Sequence, residues 1–349
     1  MNRSTIPWTQ YTWNVTTGCA KVSRGCANCY AERVSASLQN RGVADYQDTV
    51  YSHAYAQTRW TGHINLLPHR LVEPLKMKEP ALIFIDSMSD LFHDQVPDDF
   101  IDQVIAVIAL TPRHTYQILT KRVERMKSYF DIFATLNDPI FRNNRLLSAG
   151  QRIYDEHLAK SKCHLDLKSL DVWPLPNLWL GCSIEDQATA DFRLPLLQLI
   201  SAHRRFVSIE PLIGPIDLGY AYPCGYYCDS NIGHVDHPFW SWGTDTQLNW
   251  LIMGAESGSQ SRPFEPTWLE TIIQQAHQAG VSLFIKQLGS HWASRSGNSR
   301  VDPRGEDVSL WPLIWRFQQY PPDLQRFFGP PIEPIAPAPA QMQFEIKGE

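Results

Sequence analysis

The sequence predicts an α/β protein built as a complete or partial (β/α) barrel of six to seven parallel strands. Short apolar runs recur along the chain, and each is followed by polar residues, as expected of strands buried on both faces. Several segments between these runs have the spacing of amphipathic helices. Hydrophobic residues make up 43% of the 349 residues and charged residues 19%, a balance that excludes a disordered chain and a coiled coil.

Seven segments are predicted as parallel strands. A short strand is expected around 12–14, and longer apolar runs follow at 81–85, 115–119, 178–182, 205–209, 250–253 and 282–285. Three helices are predicted between them. The segment 97–110 has an acidic start and ends at Thr111-Pro112, 191–202 has a similar pattern, and 267–279 is closed by Gly280. Strands that alternate with helices are typical of a parallel sheet.

The chain is expected to hold one barrel domain, 1–328, with two interruptions and a tail. A helical insertion is predicted around 130–176, and a loop rich in cysteine, histidine and aromatic residues around 220–247. The segment 329–349 is rich in proline and alanine, so we expect it to be extended or disordered rather than part of a core.

Polar residues follow nearly every predicted strand. In a (β/α) barrel the carboxyl ends of the strands meet at one mouth, where active sites lie. The candidate binding residues at this mouth are Asp86, Ser87, Asp90, Lys121, Arg122, Ser183, Glu185, Glu210 and Glu256. The alternative is that these charges form ion pairs across the rim, for example Lys121 with Asp86.

Three cysteines near the amino terminus form a candidate metal centre. Cys26 and Cys29 form a C-x2-C pair, and Cys19 lies seven residues before Cys26. Three thiolates suit either a structural zinc site that takes a fourth ligand from elsewhere, or a 4Fe-4S cluster with one open iron. An open iron can chelate S-adenosylmethionine (SAM), donate an electron and cleave the C–S bond to a 5′-deoxyadenosyl radical. Buried, inert cysteines are the remaining interpretation.

Several motifs resemble the phage Gp37/Gp68-like family, a radical-SAM-like group. They are Trp13-Asn14, Gly18-Cys19, Ser23, Gly25-Cys26, Cys29-Tyr30-Ala31-Glu32, Ser87-Met88-Ser89-Asp90-Leu91-Phe92, Leu119-Thr120-Lys121-Arg122, Ser208-Ile209-Glu210-Pro211-Leu212, Gly254-Ala255-Glu256-Ser257-Gly258 and Lys286-Gln287. The Cys-x2-Cys-Tyr-Ala piece is also similar to spore photoproduct lyase and its relatives, radical SAM enzymes that act on DNA. Six residues separate Cys19 from Cys26, where the usual radical SAM spacing has three, and Ser87 to Asp90 stands where a Gly-Gly-Glu segment is usual.

The resemblance implies a radical-SAM-like barrel with a 4Fe-4S cluster on Cys19, Cys26 and Cys29 and with SAM as cofactor. Lys121 or Arg122 would then pair with the SAM carboxylate. We expect the remaining candidates to serve its other groups: Asp86, Ser87 or Asp90 the amine, Glu185 or Glu210 the ribose hydroxyls with help from Ser183, and Glu256 the adenine or the substrate.

A second group of metal-ligating residues lies in the 220–247 loop. Cys224, Cys228, His234 and His237 form C-x3-C followed by H-x2-H, which can make a tetrahedral zinc or other auxiliary metal site. The alternative is that these thiols and imidazoles face solvent separately.

The predicted function is reductive cleavage of SAM to modify or repair a nucleic-acid or nucleotide-derived substrate, with an electron donor such as flavodoxin or ferredoxin. Two alternatives stay open: a zinc-stabilised barrel, and a non-enzymatic nucleic-acid-binding protein of a phage or defence system. The net charge of −5 argues against nucleic-acid binding through global positive charge, but leaves a local basic groove open. No apolar run reaches membrane-spanning length, and the start lacks the layout of a signal peptide, so we expect a cytoplasmic protein.

Overall fold

A computed structural model of the chain describes residues 1–51, 58–135, 139–158, 173–218 and 248–329. Twelve strands lie in this part of the chain: β1 (Asn2–Arg3), β2 (Tyr11–Trp13), β3 (Thr16–Thr17), β4 (Val50–Tyr51), β5 (Arg59–Trp60), β6 (Asn65–Leu66), β7 (Leu82–Ile85), β8 (Thr115–Thr120), β9 (Leu178–Ser183), β10 (Arg204–Ile209), β11 (Trp250–Gly254) and β12 (Ser282–Gln287). All seven predicted strands are therefore confirmed, with ends that differ by one or two residues.

One large sheet organises the molecule, in the order β1-β2-β7-β8-β9-β10-β11-β12. The strands from β2 to β12 pair in parallel with their neighbours, and β1 adds an antiparallel edge. Two small antiparallel pairs, β3 with β6 and β4 with β5, lie outside this sheet. The fold is thus mixed α/β with a mostly parallel sheet. A closed barrel is not confirmed, because β1 and β12 are the two ends of the strand order in the described ranges.

The described residues also contain nine α-helices: α1 (Tyr30–Asn40), α2 (Glu73–Lys76), α3 (Asp98–Ala109), α4 (Val123–Thr135), α5 (Pro139–Ile153), α6 (Gln187–Leu199), α7 (Pro266–Ala279), α8 (Gly289–Arg295) and α9 (Pro322–Phe328). The helices predicted at 97–110 and 267–279 correspond to α3 and α7, and Gly280 ends α7 in the left-handed conformation. The start predicted at 191 for α6 is wrong. This helix begins at Gln187, because Asp186 and Thr189 form a capping box.

The two faces of the large sheet bury different side chains. Along β11, Leu251 and Met253 belong to the extensive core that includes the apolar residues of α3, α6 and α7, whereas Trp250 and Ile252 point to the other face. That second face is dominated by aromatic rings, and Trp250 meets both Trp8 and Trp179 edge-on at 6.3 Å between ring centroids. The sheet is therefore buried on both sides, as its continuous apolar runs predict.

Helix α5 occupies part of the predicted insertion and packs beside α3. The buried Asp102 of α3 accepts hydrogen bonds from Tyr129 Oη at 2.7 Å and from Arg145 Nε at 2.6 Å. Residues 136–138 and 159–172 of the insertion, 219–247 and 330–349 lie outside the described ranges, so the proposed division of the chain stays a prediction. None of the described helices is long and apolar enough to span a bilayer.

Candidate active-site cavity

A cavity of about 1200 Å³ opens at the carboxyl edge of the parallel strands. Eleven of the twelve residues predicted for the cluster and its cofactor line this cavity: Cys19, Cys26, Cys29, Asp86, Ser87, Asp90, Lys121, Arg122, Ser183, Glu210 and Glu256. The twelfth, Glu185, is fully buried beside it. The second predicted metal group, Cys224, Cys228, His234 and His237, falls outside the described residues.

The three cysteines lie on one loop that runs from the end of β3 into α1. All three are free, half-buried thiols, and Cys29 is the residue that precedes α1. At the start of the loop, Gly18 has a φ of 90°, and a Cβ there would lie 2.0 Å from the carbonyl oxygen of His63. Only glycine fits this position, so the backbone before Cys19 is tightly held.

Glu185, after β9, holds the middle of the cysteine loop. One of its oxygens accepts a hydrogen bond from Ser23 Oγ at 2.8 Å and pairs with Lys121, and the other lies 3.1 Å from Arg193 Nη1. Burial by itself raises the pKa of Glu185, but the two cations outweigh it, so this pKa lies below its ordinary value. Gly25 permits the contact, because a Cβ there would lie 2.4 Å from Glu185 Cγ.

Glu256, after β11, holds the end of the same loop. Its carboxylate pairs with Arg262 and accepts a hydrogen bond from Asn28 Nδ2 at 3.2 Å, and Arg262 Nη1 donates to the carbonyl of Arg24 at 2.9 Å. Burial raises the pKa of Glu256, but the hydrogen bonds and charge of Arg262 prevail and lower it. Glu256 therefore acts on the loop, in addition to lining the cavity.

Arg122, after β8, links the sheet to Cys19. Its Nη1 lies 3.0 Å from Asp90 Oδ2 and 3.8 Å from Cys19 Sγ, while Nη2 donates to the carbonyl of Ala20 at 3.0 Å. Burial and the charge of Asp90 raise the pKa of Cys19 to about 12, and Arg122 opposes them only in part. Burial also raises the pKa of Cys29. These two thiols therefore stay protonated at neutral pH unless a metal replaces the proton.

Asp86 has an architectural role in this structure. Its carboxylate accepts hydrogen bonds from the amides of Val15 and Thr16 at 2.8 and 2.9 Å, and from Thr16 Oγ1 at 2.8 Å. Its backbone is left-handed, with a φ of 56°. Burial raises the pKa of Asp86 to about 7, although the donors of Thr16 and Val15 pull it down. Both oxygens are thus engaged, and recognition of a SAM amine by Asp86 stays a prediction.

A separate polar group lies on the side of the cavity formed by β10 to β12. Glu210 receives a hydrogen bond from Lys286 Nζ at 2.9 Å and another from Ser208 Oγ at 3.1 Å. Gly254 leaves room for it, because a Cβ there would lie 2.8 Å from Glu210 Oε1. Lys286 and Ser208 were not among the candidate residues. The polar strand-end pattern points to Lys286, and Ser208 is the polar residue that interrupts the apolar run of β10.

Arg193 and Arg262 were also missed. Arg193 lies within α6 and Arg262 in the segment before α7, and neither follows a strand directly. Rim ion pairs do form, as the alternative interpretation holds, but Lys121 pairs with Glu185 and not with Asp86.

The three thiols are the candidate ligands for a metal. Within the described ranges, no three histidine, cysteine, aspartate or glutamate side chains converge as the ligands of a single ion. A 4Fe-4S cluster makes a different demand, since each thiolate binds a different iron. Cys19, Cys26 and Cys29 line the same cavity, and the Arg122 cation beside Cys19 can offset the negative charge of a thiolate-bound cluster.

A family model described as "Protein of unknown function (DUF5131)" matches residues 3–316. The chain belongs to this DUF5131 family. The match includes every described residue that lines the cavity except Gln318. The Gp37/Gp68 name suggested by the motifs is not confirmed. No curated protein matches this DUF5131 chain.

Two solved structures are weakly similar to this DUF5131 protein. One is a mutant of spore photoproduct lyase, with 12% identity and a TM-score of 0.34, and the other is spore photoproduct lyase complexed with dinucleoside spore photoproduct, with 13% identity and a TM-score of 0.32. Each match covers 79% of this chain and 63% of the other. The chain therefore spans less than two thirds of the length of these proteins.

Proposed function

We propose that this DUF5131 protein is an iron–sulfur enzyme of the radical SAM type that modifies or repairs a nucleic-acid or nucleotide-derived substrate. One observation carries the proposal: three thiols from a single loop line the same cavity as the polar ends of the parallel strands. A partial (β/α) barrel and a cytoplasmic location belong to the same proposal.

Cys19, Cys26 and Cys29 would hold the cluster. When bound, such a cluster supplies the electron for reductive cleavage of SAM. The chain's own contribution is to position it. Arg122 offsets negative charge next to Cys19, and Glu185 and Glu256 fix the loop on either side of Cys26, through Ser23 and Asn28. An electron donor such as flavodoxin or ferredoxin is part of the proposal.

Glu210 is the best-placed carboxylate for the ribose hydroxyls of SAM. It lines the cavity, is only half-buried, and is oriented by Lys286 and Ser208. Asp86 and Asp90, in contrast, are buried, and their carboxylate oxygens already accept hydrogen bonds from other groups of the protein. Ser183, at the end of the neighbouring strand β9, lines the cavity beside this group.

The cavity is larger than the usual pocket for one ligand. Pockets for a single drug-sized ligand occupy about 300–1,000 Å³, and this one holds about 1200 Å³. SAM and the reacting part of a substrate, such as one nucleotide, would occupy it together. The similarity of the Cys-x2-Cys-Tyr-Ala piece to DNA-acting radical SAM enzymes supports a nucleic-acid substrate.

The test is anaerobic reconstitution with iron and sulfide, followed by iron quantitation and low-temperature EPR of the reduced protein with and without SAM. We expect about four irons per chain and an EPR signal that shifts when SAM is added. Replacing Cys19, Cys26 or Cys29 by alanine should abolish the signal. Cys182→Ala is the matched control, because this thiol is fully buried in the sheet.

Tightly bound zinc without iron would overturn the proposal and favour the zinc-stabilised alternative. Iron that survives in the triple Cys19, Cys26 and Cys29 variant would also overturn it, since other cysteines would then bind the metal. An iron-free, zinc-free protein that binds nucleic acid with or without these thiols would favour the non-enzymatic alternative.

A further inference from the structure

One wall of the cavity is the exposed face of α1. Tyr30, Arg33, Val34 and Ser37 of α1, and Arg41 directly after it, line the cavity, and their positions i, i+3, i+4, i+7 and i+11 place them along one side of the helix. We call these five residues the α1 wall. The opposite side of α1 is buried through Ala31, Glu32, Ser35 and Ala36. Large apolar side chains stay accessible on the wall, since Tyr30 is 48% and Val34 41% exposed.

The wall carries two positive charges without acidic partners. Among the described residues, Arg41 Nε donates to the carbonyl oxygen of Ser37 at 3.2 Å, and neither the Arg41 nor the Arg33 side chain forms an ion pair or a hydrogen bond with an acidic residue. The other cations lining the cavity are already paired, namely Lys121, Arg122, Lys286 and Arg304. In a chain with a net charge of −5, this is a local surplus of positive charge.

The position of Arg33 ties this surplus to the cavity mouth. Its guanidinium approaches the backbone after β11, where a Cβ on Gly258 would lie 3.5 Å from Arg33 Nη1. The wall also begins directly after Cys29. A ligand that follows the wall therefore runs along the mouth and toward the cysteine loop.

The spacing of the two arginines selects a ligand with repeated negative charges. Arg33 lies in α1 and Arg41 directly follows its last residue, so the two are eight residues apart, which corresponds to about 12 Å along the helix axis. Consecutive phosphates of one stacked strand are about 3.4 Å apart along the axis, so phosphates three to four nucleotides apart in one strand match the spacing of the two arginines. Tyr30, whose hydroxyl donates to the carbonyl of Ser87 at 2.7 Å, offers a fixed ring on which a base can stack.

From this geometry we infer that the α1 wall binds the phosphate backbone of a single-stranded nucleic acid and leads it across the cavity. The inference extends the proposed function, on which it rests for the reaction that follows binding. A single strand is favoured over a duplex, because a base inside a duplex must unstack before it can enter a cavity. An acidic electron donor is the rival occupant, but it has no need to enter the cavity that these residues line.

The test is fluorescence anisotropy of a labelled 12-nucleotide DNA and of the matching RNA, titrated with the full chain over a series of salt concentrations. We expect the Arg33→Gln/Arg41→Gln double variant to bind at least about tenfold more weakly than the wild type. Loss of two phosphate contacts should also reduce the slope of log affinity against log salt by about 1.4. Circular dichroism and thermal unfolding check that the variant is folded.

The matched control is Lys76→Gln/Lys78→Gln. It also removes two exposed positive charges, but from the segment before β7, at the edge of the sheet opposite the cavity. It should leave both affinity and salt slope unchanged. Equal losses in the two double variants, or none in either, would overturn the inference.

Three further outcomes would also overturn it. They are tighter binding of a 12-base-pair duplex than of the single strand, no measurable oligonucleotide binding, and binding of reduced flavodoxin that depends on Arg33 and Arg41 without any oligonucleotide binding. The titration is repeated on iron-free Cys19→Ala protein, which should bind as the wild type does. Binding and cluster assembly are thus measured separately, and either proposal can fail alone.

Discussion

Substitution of Gly25 by alanine tests whether the cysteine loop is held by close contact with Glu185. The φ of Gly25 is not left-handed, so alanine is compatible with the backbone. The new Cβ would, however, lie 2.4 Å from Glu185 Cγ and 2.7 Å from its Cδ. Glu185 cannot simply move aside, because it is fully buried and fixed by Ser23, Lys121 and Arg193.

The magnitude follows from overpacking. Forcing one extra carbon into a packed contact costs about 1–3 kcal/mol of unfolding free energy, and displacement of the loop should also lower iron incorporation. Urea unfolding followed by tryptophan fluorescence measures the first effect, and iron quantitation the second. The control is Gly150→Ala within α5, where the Cβ would meet only Leu110 Cδ1 at an ordinary 3.6 Å. That change should stabilise the protein by about 0.5–1 kcal/mol.

A double-mutant cycle identifies the clash itself. Glu185→Ala removes the Cγ that Gly25→Ala would strike, so the double variant should be more stable than the sum of the single changes predicts. A coupling of about 0.5–3 kcal/mol is expected for residues in contact. Strict additivity, or a Gly25→Ala protein as stable as the wild type, would refute the contact as the reason for glycine at this position.

Three other predictions concern the sheet and its carboxylates. Burial raises the pKa of Asp86 to about 7, above its value in the unfolded chain. The unfolding free energy of the wild type should therefore fall by up to about 1.4 kcal/mol per pH unit as pH rises from 4 toward 7, and should fall no further above pH 7. Urea titrations at each pH should show no such fall for Asp86→Asn, and parallel pH profiles for the two proteins would contradict the prediction. Glu185→Gln leaves the buried Arg193 and the half-buried Lys121 without their counter-charge and should cost about 3–5 kcal/mol of unfolding free energy, whereas Glu306→Gln at a partly exposed pair should change the unfolding free energy by less than about 1 kcal/mol. Gly181→Ala would place a Cβ 2.6 Å from the Phe206 ring and should destabilise by about 1–3 kcal/mol with unchanged iron content; lost iron would show that the aromatic face and the cavity are coupled.

The strands could be predicted because each is an apolar run that stops at polar residues. The run predicted at 178–182 is β9, Leu178–Ser183, and the run at 205–209 is β10, Arg204–Ile209. The two-residue strands β3 and β6 carry too few residues for any periodicity. The start of α6 was missed because Asp186 has two possible meanings in sequence, as a polar strand end or as a helix cap, and only the reciprocal bonds with Thr189 decide between them.

Convergence of the candidate residues on one cavity could also be predicted, since parallel strands deliver their carboxyl ends to the same edge. The interaction partners of those residues could not be predicted from the sequence. Glu185 finds Arg193 on the helix that follows it and Lys121 after the neighbouring strand, and Glu256 finds Arg262 in a loop. These pairs depend on how side chains pack in three dimensions, and no local pattern in the sequence records them.

The contacts around the cysteine loop change how the acidic strand ends are interpreted. Successive carbonyls and side chains of the loop are held by groups that follow different strands: Ala20 by Arg122 after β8, Ser23 by Glu185 after β9, and Arg24 and Asn28 by the Arg262–Glu256 pair after β11. A loop fixed at three places by a rigid sheet keeps its thiols in one arrangement.

Because these groups position the loop, few polar side chains in the cavity are left to form hydrogen bonds with a small molecule. Of the carboxylates predicted to bind SAM, Glu210 is the one whose described partners, Ser208 and Lys286, both line the cavity themselves. Glu210→Gln should therefore weaken SAM binding while leaving iron content unchanged, whereas Glu185→Gln should lower iron content first.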